Sequence, residues 1–270
     1  MDELKAWQAN NLAPNNARFR IVGAVDQAEA TAALAGLGQR WARRDVAVPS
    51  YAAPTPPKQS QVYFYDMPNA SQSVLVFGYP ALTRADPDFY PATATNFILG
   101  GGGFASRLTQ QMREGAGYTY GVRSGFAGGD EVGQFQLSSA VRANVTLEAA
   151  TMARDIVRDY GATFTEADLT VTRSALSKSR ARAFETAGAK LDVLEAIGDY
   201  GLPADYLTRE AQVIEGLTVE QVRALAAEHL RTDGMIYVVV GDAATQSARL
   251  EGLGYGPVVM INDRLAAAAR

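Results

Sequence analysis

The stretch LGGGGFASRLTQQMREGAGYTYGVRS, at residues 99–124, is the most distinctive part of this sequence of 270 residues. Its four consecutive glycines follow a helical stretch and predict a turn whose exposed backbone amides can approach a ligand closely. The next segment, at 104–114, is predicted to be a helix with Arg113 near its end, and Tyr120 lies in the strand that follows. No Gly-Lys-Ser/Thr follows the glycines, so they do not form a phosphate-binding loop. From these residues alone, a plain connector remains the alternative to a ligand-binding turn.

Patterns on both sides of this stretch predict the fold class. Runs rich in β-branched and aromatic residues indicate strands at 61–66, 73–79, 118–124, 134–141 and 237–240. Helical periodicity extends from about residue 144 to 230, between the last two of these strands. Because the strands come in pairs and the helices in runs, the sequence predicts an α+β fold in which a largely antiparallel sheet is packed with helices.

The beginning of the sequence resembles a later part of it. When Phe19 is placed on Tyr237, FRIVG at 19–23 aligns with YVVVG at 237–241. The apolar residues of the helix before each strand then align without a gap: Leu4, Trp7 and Leu12 fall on Val222, Leu225 and Leu230. Two ordinary helix–turn–strand units can agree in this way by coincidence. The interpretation that we favour is a duplicated module of about 220 residues.

This repeat predicts three parts along the chain. Residues 1–48, a helix, a strand at 19–22 and a second helix, are predicted to be the tail of a preceding homologous half. A proline-rich stretch predicts an extended linker at 49–60. Residues 61–270 then form one complete homologous half. Thr218 is a predicted cap of its helix, and the helix of the tail has no such residue before Met1, so we expect the chain to be a fragment of a longer protein.

The composition excludes several kinds of chemistry. The absence of cysteine rules out disulfides, thiolate catalysis and cysteine-ligated metal sites. The single histidine, His229, cannot form an H-E-x-x-H motif, which needs two, and its place in the last turn of an amphipathic helix favours a structural role. The net charge of −4 gives no sign of nucleic-acid binding, and no apolar run approaches the ~18 residues that span a bilayer. We therefore expect neither nucleic acid nor membrane as a partner. The first residues are not a signal peptide, and the compartment is not predicted.

Four groups of residues follow one another in the order and spacing of a known signature: the glycine run, Ser106-Arg107-Leu108, Arg113-Glu114 and GYTY at 117–120. They resemble the C-terminal homologous half of the pitrilysin/insulinase-like zinc metallopeptidases, or inverzincins, the family that includes the mitochondrial processing peptidase. The segment LKAWQANNLAPNNARFRIVGAVD, at 4–26, is similar to the end of that family's N-terminal half. Residues 217–242 are similar to the closing helix and strand of its C-terminal half. The resemblance therefore covers most of the chain.

The resemblance implies two homologous halves that face each other around a chamber. The first half carries an inverted H-x-x-E-H zinc motif with a further glutamate downstream, and this sequence contains none of that motif. We therefore expect no catalytic residue and no metal ligand in this chain alone. Zinc, which this chain would not bind, is expected in the partner half.

The family's second half supplies an arginine and a tyrosine, seven residues apart, that reach the substrate. These positions fall on Arg113 and Tyr120, and the spacing selects Tyr120 rather than Tyr118. A guanidinium and a phenol can donate hydrogen bonds to a peptide carbonyl and to the oxyanion that develops on it. The other expected substrate-binding residues come from the glycine run and its end: Gly101, Gly102, Gly103 and Phe104. In the alternative, Arg113 caps its helix and Tyr120 packs in the sheet, while Arg107 is expected to form a structural ion pair.

Functions from different classes remain open. The first is the non-catalytic substrate-binding half of a zinc metalloendopeptidase, whose partners are a zinc-bearing half or subunit and a peptide held by strand addition to a sheet edge. The second is a structural or regulatory subunit of the same family without peptidase activity, and a weaker third is an unrelated peptide-binding module. The presence of both Arg113 and Tyr120 favours the first, because a purely structural member has no need of the pair.

Overall fold

A computed structural model of the chain describes residues 1–47 and 50–262. The chain divides into two compact units, Met1–Ala53 with Ser179–Pro203, and Pro54–Lys178 with Ala204–Arg270. Parts of the predicted tail, linker and C-terminal half, namely Val48, Pro49 and residues 263–270, lie outside the described residues. Within the two described ranges, no helix combines the length and the apolar character needed to cross a membrane.

The described residues form nine α-helices and six strands. The helices are α1 Asp2–Asn11, α2 Gln27–Arg40, α3 Phe89–Asn96, α4 Thr146–Thr163, α5 Glu166–Ala181, α6 Ala187–Tyr200, α7 Tyr206–Gly216, α8 Val219–His229 and α9 Ala243–Gln246. The strands are β1 Gln61–Asp66, β2 Gln72–Ala81, β3 Thr119–Ala127, β4 Gly133–Arg142, β5 Ile236–Gly241 and β6 Val259–Met260. Short 3-10 or π segments lie at Pro14–Asn16, Phe97–Gly101, Gly103–Ala105, Thr109–Gly115, Ala143–Val145, Arg182–Phe184 and Ala248–Leu253.

The smaller unit contains α1, α2 and α6. The helix α2 begins where Asp26 and Glu29 cap each other: the Asp26 carboxylate accepts from the Glu29 amide at 2.8 Å, and the Glu29 carboxylate accepts from the Asp26 amide at 3.0 Å. Arg20 lies between α1 and α2 and donates from Nε to the carbonyl of Leu194 in α6 at 3.2 Å. It also forms an ion pair with Asp199 of the same helix.

The strand predicted at 19–22 is not formed. This segment has no regular secondary structure, and no strand of the described residues pairs with it. A strand needs a neighbour that satisfies its backbone hydrogen bonds, so the amino-acid pattern alone does not make one. Phe19 and Ile21, which alternate along the segment, remain 57% and 47% exposed.

The larger unit is built on one six-stranded sheet in the order β3-β4-β2-β5-β1-β6. The pairs β3–β4, β4–β2 and β2–β5 are antiparallel, whereas β5–β1 and β1–β6 are parallel. The predicted α+β fold with a largely antiparallel sheet is confirmed. The strand β5 enters the sheet between β1 and β2, so two strands that are adjacent in sequence are not neighbours in the sheet. A turn follows β1, with Asn69 at a φ of 63°.

The core lies on the face of the sheet that carries alternate residues of the central strands, including Phe64, Phe77, Phe135 and Tyr237. Buried side chains of α3, α4 and α8 pack against this face, and Tyr160 of α4 is fully buried. Full burial of one such side chain stabilises the fold by about 1.5–3 kcal/mol. This layer of helices fixes the position of the segments that lead into β3.

Two wide-turn segments precede β3. The helix α3 continues as a π segment at Phe97–Gly101, and a second π segment at Thr109–Gly115 replaces most of the regular helix predicted at 104–114. The first residues of that predicted helix instead form a 3-10 turn, Gly103–Ala105. Single π turns inside helices occur frequently at functional sites. Both π segments, which carry part of the glycine run and Arg113, contact β3.

Candidate functional site

The strand β3 forms a long edge of the sheet. Among the described residues no second strand pairs with it, so its other side is an edge of the sheet. Its register shifts between Thr119, which faces Val141, and Val122, which faces Ser139. One extra residue therefore lies in β3 opposite Ala140, and a bulge of this kind re-aims a side chain. Tyr120 lies in the bulge and is 86% exposed, and buried and exposed residues alternate only after the bulge, from Val122 to Ser124.

Arg113, Tyr120 and Phe104 form one cluster. The guanidinium carbon of Arg113 lies 4.6 Å from the centre of the Tyr120 ring and 4.7 Å from the centre of the Phe104 ring. The Nε of Arg113 is 3.2 Å from a carboxylate oxygen of Glu114. Each aromatic contact with a cation at an exposed site contributes about 0.5–1 kcal/mol. Two of the residues predicted to bind substrate, Phe104 and Tyr120, therefore both contact a third, Arg113.

The helical segment around Met112 positions Arg113. The Met112 side chain is buried in the core, and its carbonyl accepts from the amide of Tyr118 at 2.9 Å. The carbonyl of Arg113 accepts from the amide of Gly117 at 3.1 Å, and Gly117 has a φ of 61°, a conformation that favours glycine. This turn reverses the chain, so the residue seven positions later lies beside the guanidinium. The Tyr120 side chain is exposed in this arrangement and does not pack in the sheet, in contrast to the alternative.

A buried pair of polar side chains joins α3 to β3 beneath the cluster. Asn96 donates to the carbonyl of Ser124 at 2.8 Å, and the Ser124 hydroxyl donates to the Asn96 side-chain carbonyl at 2.6 Å. Neither residue stands out in the sequence. The signal that could have found Asn96 is its position as one amide side chain directly before the apolar run FIL at 97–99. Buried polar groups of this kind are paired, because an unpaired one costs about 1–3 kcal/mol.

The glycine run has a more specific structure than a flexible turn. A Cβ at Gly100 would lie 2.2 Å from the Ser124 hydroxyl, so Gly100 allows the helix to touch β3. The amide of Gly102 donates to the carbonyl of Phe97 at 2.7 Å, so it is not available to a ligand in this structure. Gly101 and Gly103 are exposed, and Gly103 has a φ of 56°. The run therefore packs against the protein on one side and leads to Phe104 on the other.

Arg107 makes the structural ion pair that the sequence predicts. Its guanidinium is 2.8 Å from the Asp168 carboxylate, and it donates to the carbonyls of Tyr160 at 3.3 Å and Thr163 at 2.7 Å. The Tyr160 hydroxyl donates to the carbonyl of Thr95, and burial raises the pKa of this tyrosine above its usual value. These bonds attach the end of α4 to the segment that carries the cluster.

The single histidine is the last residue of α8, as predicted. Its Nε2 lies 3.3 Å from a carboxylate oxygen of Asp88, and its backbone carbonyl accepts from the Tyr79 hydroxyl. With Glu228, these two side chains are a group of the described residues whose possible metal-ligating atoms lie within 4.8 Å of one another. The group has one imidazole on a helix end rather than the two of an H-x-x-E-H helix. It therefore does not fit the zinc site that the resemblance implies for the partner half.

Comparison with known proteins identifies the family. The family model for the peptidase M16 inactive domain matches residues 1–176. A comparison with curated proteins gave no match. Among solved structures, the peptidase M16 inactive domain from Pseudomonas fluorescens is 30% identical, with a TM-score of 0.80 over 90% of this chain and 57% of that one.

Two more distant structures show the same fold. A protease from Helicobacter pylori is 15% identical, with a TM-score of 0.73 over 81% of this chain and 54% of that one. A chain of Complex III2 from Candida albicans is 12% identical, with a TM-score of 0.62 over 80% of this chain and 53% of that one. The present chain thus spans little more than half the length of these three chains. The match to the inactive-domain model confirms the resemblance to the C-terminal half of pitrilysin-like peptidases, and the chain belongs to the peptidase M16 family as its inactive domain.

Proposed function

We propose that this chain is the non-catalytic, substrate-binding half of a zinc metalloendopeptidase. The observation that carries the proposal is the contact between Arg113 and Tyr120 on the exposed edge of the sheet. No hydrogen-bond acceptor for the Nη atoms of Arg113 or for the Tyr120 hydroxyl is present among the described residues. These groups can therefore donate to an external oxygen, such as a peptide carbonyl or the oxyanion that develops on it during cleavage.

The cluster of Arg113, Tyr120 and Phe104 is exposed, which supports the proposal that a partner covers it. Tyr120 and Phe104 are 86% and 64% exposed, so water surrounds both rings in this chain. Donors that stabilise developing charge act strongly where water is excluded. A second protein surface is therefore needed, and a zinc-bearing homologous half fits that requirement. In that half, bound zinc would supply an activated water for hydrolysis, and Arg113 and Tyr120 of this chain would bind and orient the carbonyl that is attacked.

The outer edge of β3 around Tyr120 is the surface that we assign to the peptide. Farther along the strand, the carbonyl of Ser124 already accepts from Asn96 at 2.8 Å and is not available to the peptide. An extended peptide that pairs with this edge satisfies its backbone groups with main-chain hydrogen bonds, which depend little on the peptide sequence. The exposed residues Gly101 and Gly103 lie in the run that leads to the cluster and can admit the peptide backbone closely. The amide of Gly102 is already bonded to the carbonyl of Phe97, so we assign Gly102 no hydrogen bond to the peptide and only the close approach that a residue without a side chain allows.

The burial of repeated positions supports a preceding homologous half. Phe19 and Ile21 are exposed, whereas the residues that align with them, Tyr237 and Val239, are fully buried in β5. Leu4 in α1 is exposed, and the residue that aligns with it in α8 is fully buried. We therefore propose that residues 1–48 are the tail of a preceding half, in which the segment at 19–22 becomes a central strand. The linker at 49–60 then joins that half to residues 61–270.

Reconstitution with a zinc-bearing half tests the proposal. The purified chain is mixed with an M16 half that contains H-x-x-E-H, and cleavage of an internally quenched fluorescent peptide is followed with and without chelator. We expect cleavage only from the mixture and only without chelator. Cleavage by the chain alone in chelator contradicts the proposal. Assembly without any cleavage instead favours the structural or regulatory subunit without peptidase activity.

A further inference from the structure

A second aromatic ring lies over the Arg113 guanidinium. Phe104 is 4.7 Å from its carbon, almost the same distance as Tyr120 on β3. No ring–ring contact joins Phe104 to Tyr120 in the part of the chain that the structure describes, so each ring touches the guanidinium separately. The guanidinium therefore contacts aromatic side chains from two different segments.

The position of Phe104 is set by its backbone. Its ring is 64% exposed and is not packed in the core. Gly103, with a φ of 56°, directs the chain at this point, and the Ser106 hydroxyl donates to its carbonyl at 2.8 Å. The side-chain amide of Gln110 donates to the carbonyl of Phe104 at 2.6 Å. These bonds fix the backbone at Phe104. Within the described part of the chain, the exposed ring then contacts the Arg113 guanidinium and no other aromatic or cationic group.

Contact with rings leaves particular atoms of Arg113 available. The N–H groups of a guanidinium lie in its own plane, so rings stacked on it do not consume them. The Nε is close to Glu114, and the two Nη groups have no acceptor among the described residues. A side chain held in this way loses less freedom when it binds an oxygen than one that moves in solvent.

We propose that Phe104 is a positioning residue, which holds the Arg113 guanidinium against Tyr120 with its Nη donors free for an oxygen of the bound peptide. This proposal rests on the proposed function, and it gives Phe104 a role through Arg113 rather than through direct contact with the peptide. Because an aromatic face is required, leucine cannot replace Phe104 and tyrosine can.

The test uses the chain assembled with its zinc-bearing half and an internally quenched fluorescent peptide. Phe104→Leu is expected to lower kcat about fivefold with little change in KM, because a transition-state interaction is weakened. Phe104→Tyr is expected to restore kcat to within about twofold of the original. Phe184→Leu, a change at another exposed phenylalanine, is the matched control. In a chain that already carries Arg113→Ala, Phe104→Leu is expected to have no further effect.

A spectroscopic measurement on the chain alone reports the contact itself. Ring currents are expected to move the Nε–H proton signal of Arg113 upfield. The shift should shrink in Phe104→Leu and persist in Phe104→Tyr. An unchanged kcat or an unchanged shift in Phe104→Leu overturns the proposal, as does an equal loss of kcat on the Arg113→Ala background. If Arg113→Ala itself leaves cleavage unchanged, the proposed substrate-binding function fails too. If Arg113→Ala lowers kcat and Phe104→Leu does not, only the role of Phe104 fails.

Discussion

The guanidinium carbon of Arg113 lies 4.6 Å from the centre of the Tyr120 ring, although one residue ends a helical segment and the other lies in an edge strand. Three local features produce this contact: a π segment, a glycine turn at Gly117 and a bulge in β3. Each is a departure from regular structure, and together they place two donor side chains on an exposed surface. The arrangement suits binding better than packing, because the Nη groups of Arg113 and the hydroxyl of Tyr120 have no acceptor among the described residues, and only Nε of Arg113 lies beside Glu114.

Peptide cleavage should depend on the hydroxyl of Tyr120 and not on that of Tyr118. Tyr120→Phe in the assembled peptidase is expected to lower kcat/KM by about 10- to 1000-fold, because it removes one donor to the developing oxyanion. Tyr118→Phe is the matched control, since Tyr118 is half-buried against the core. Steady-state cleavage of the quenched peptide measures both. Equal kcat/KM for the two variants removes the role of Tyr120.

Gly100 should be required for the fold. In Gly100→Ala the new Cβ would lie 2.2 Å from the Ser124 hydroxyl and 2.5 Å from its amide, so the helix must move away from β3. We expect a loss of about 1–3 kcal/mol in the free energy of unfolding, measured with urea. Gly125→Ala, on the same strand with open space around it, should change stability much less. An equal stability of the two variants contradicts the close packing described here.

The repeat predicts opposite effects at two equivalent positions. Ile21→Asp should change the unfolding free energy of this chain by no more than about 0.5 kcal/mol, since Ile21 is exposed, but it should weaken assembly with the preceding half. Val239→Asp places a charge in the core and should unfold the chain. Urea unfolding and sedimentation of the mixture measure the two properties. Unimpaired assembly of the Ile21→Asp variant contradicts the assignment of the tail.

Three buried tyrosines predict a loss of stability at high pH. Burial is the main cause that raises the pKa of Tyr79, Tyr160 and Tyr237. A phenol whose pKa is higher in the folded chain stabilises the fold fully below its unfolded value of about 10, and that contribution is lost as pH rises above it. We expect Tm to fall above pH ~10, with tyrosinate absorbance from these residues appearing together with unfolding. Ionisation of all tyrosines while the chain is still folded would contradict the coupling between ionisation of these three tyrosines and unfolding.

The strands of the larger unit could be predicted from the sequence because their apolar alternation is strong. The bounds predicted at 61–66 and 134–141 agree with β1 and β4 to within one residue. The insertion of β5 between β1 and β2 could not be predicted, because alternation says which face is buried and not which strand is the neighbour. The segment at 19–22 has the same pattern as β5 and forms no strand, since pairing depends on a partner that the pattern does not contain.

The residues of the candidate site could be predicted from the sequence, but their arrangement in space could not. Spacing and resemblance selected Arg113 and Tyr120, and the glycine run led to Phe104. The contacts among them depend on the bulge and the π segment, which leave no periodic signal in the sequence. Asn96 and Ser124 were missed because each is an ordinary polar residue in its own segment, and only their burial opposite each other gives them a role.

The most direct test is the effect of Arg113→Ala on peptide cleavage by the assembled halves. The control is Arg158→Ala, which removes an exposed guanidinium of α4 that pairs with neighbouring carboxylates. We expect kcat/KM to fall by about 10- to 1000-fold for Arg113→Ala and to stay unchanged for Arg158→Ala, with equal Tm for both chains. Cleavage by the Arg113→Ala assembly at the rate of the unsubstituted one would contradict the role of Arg113 in substrate binding.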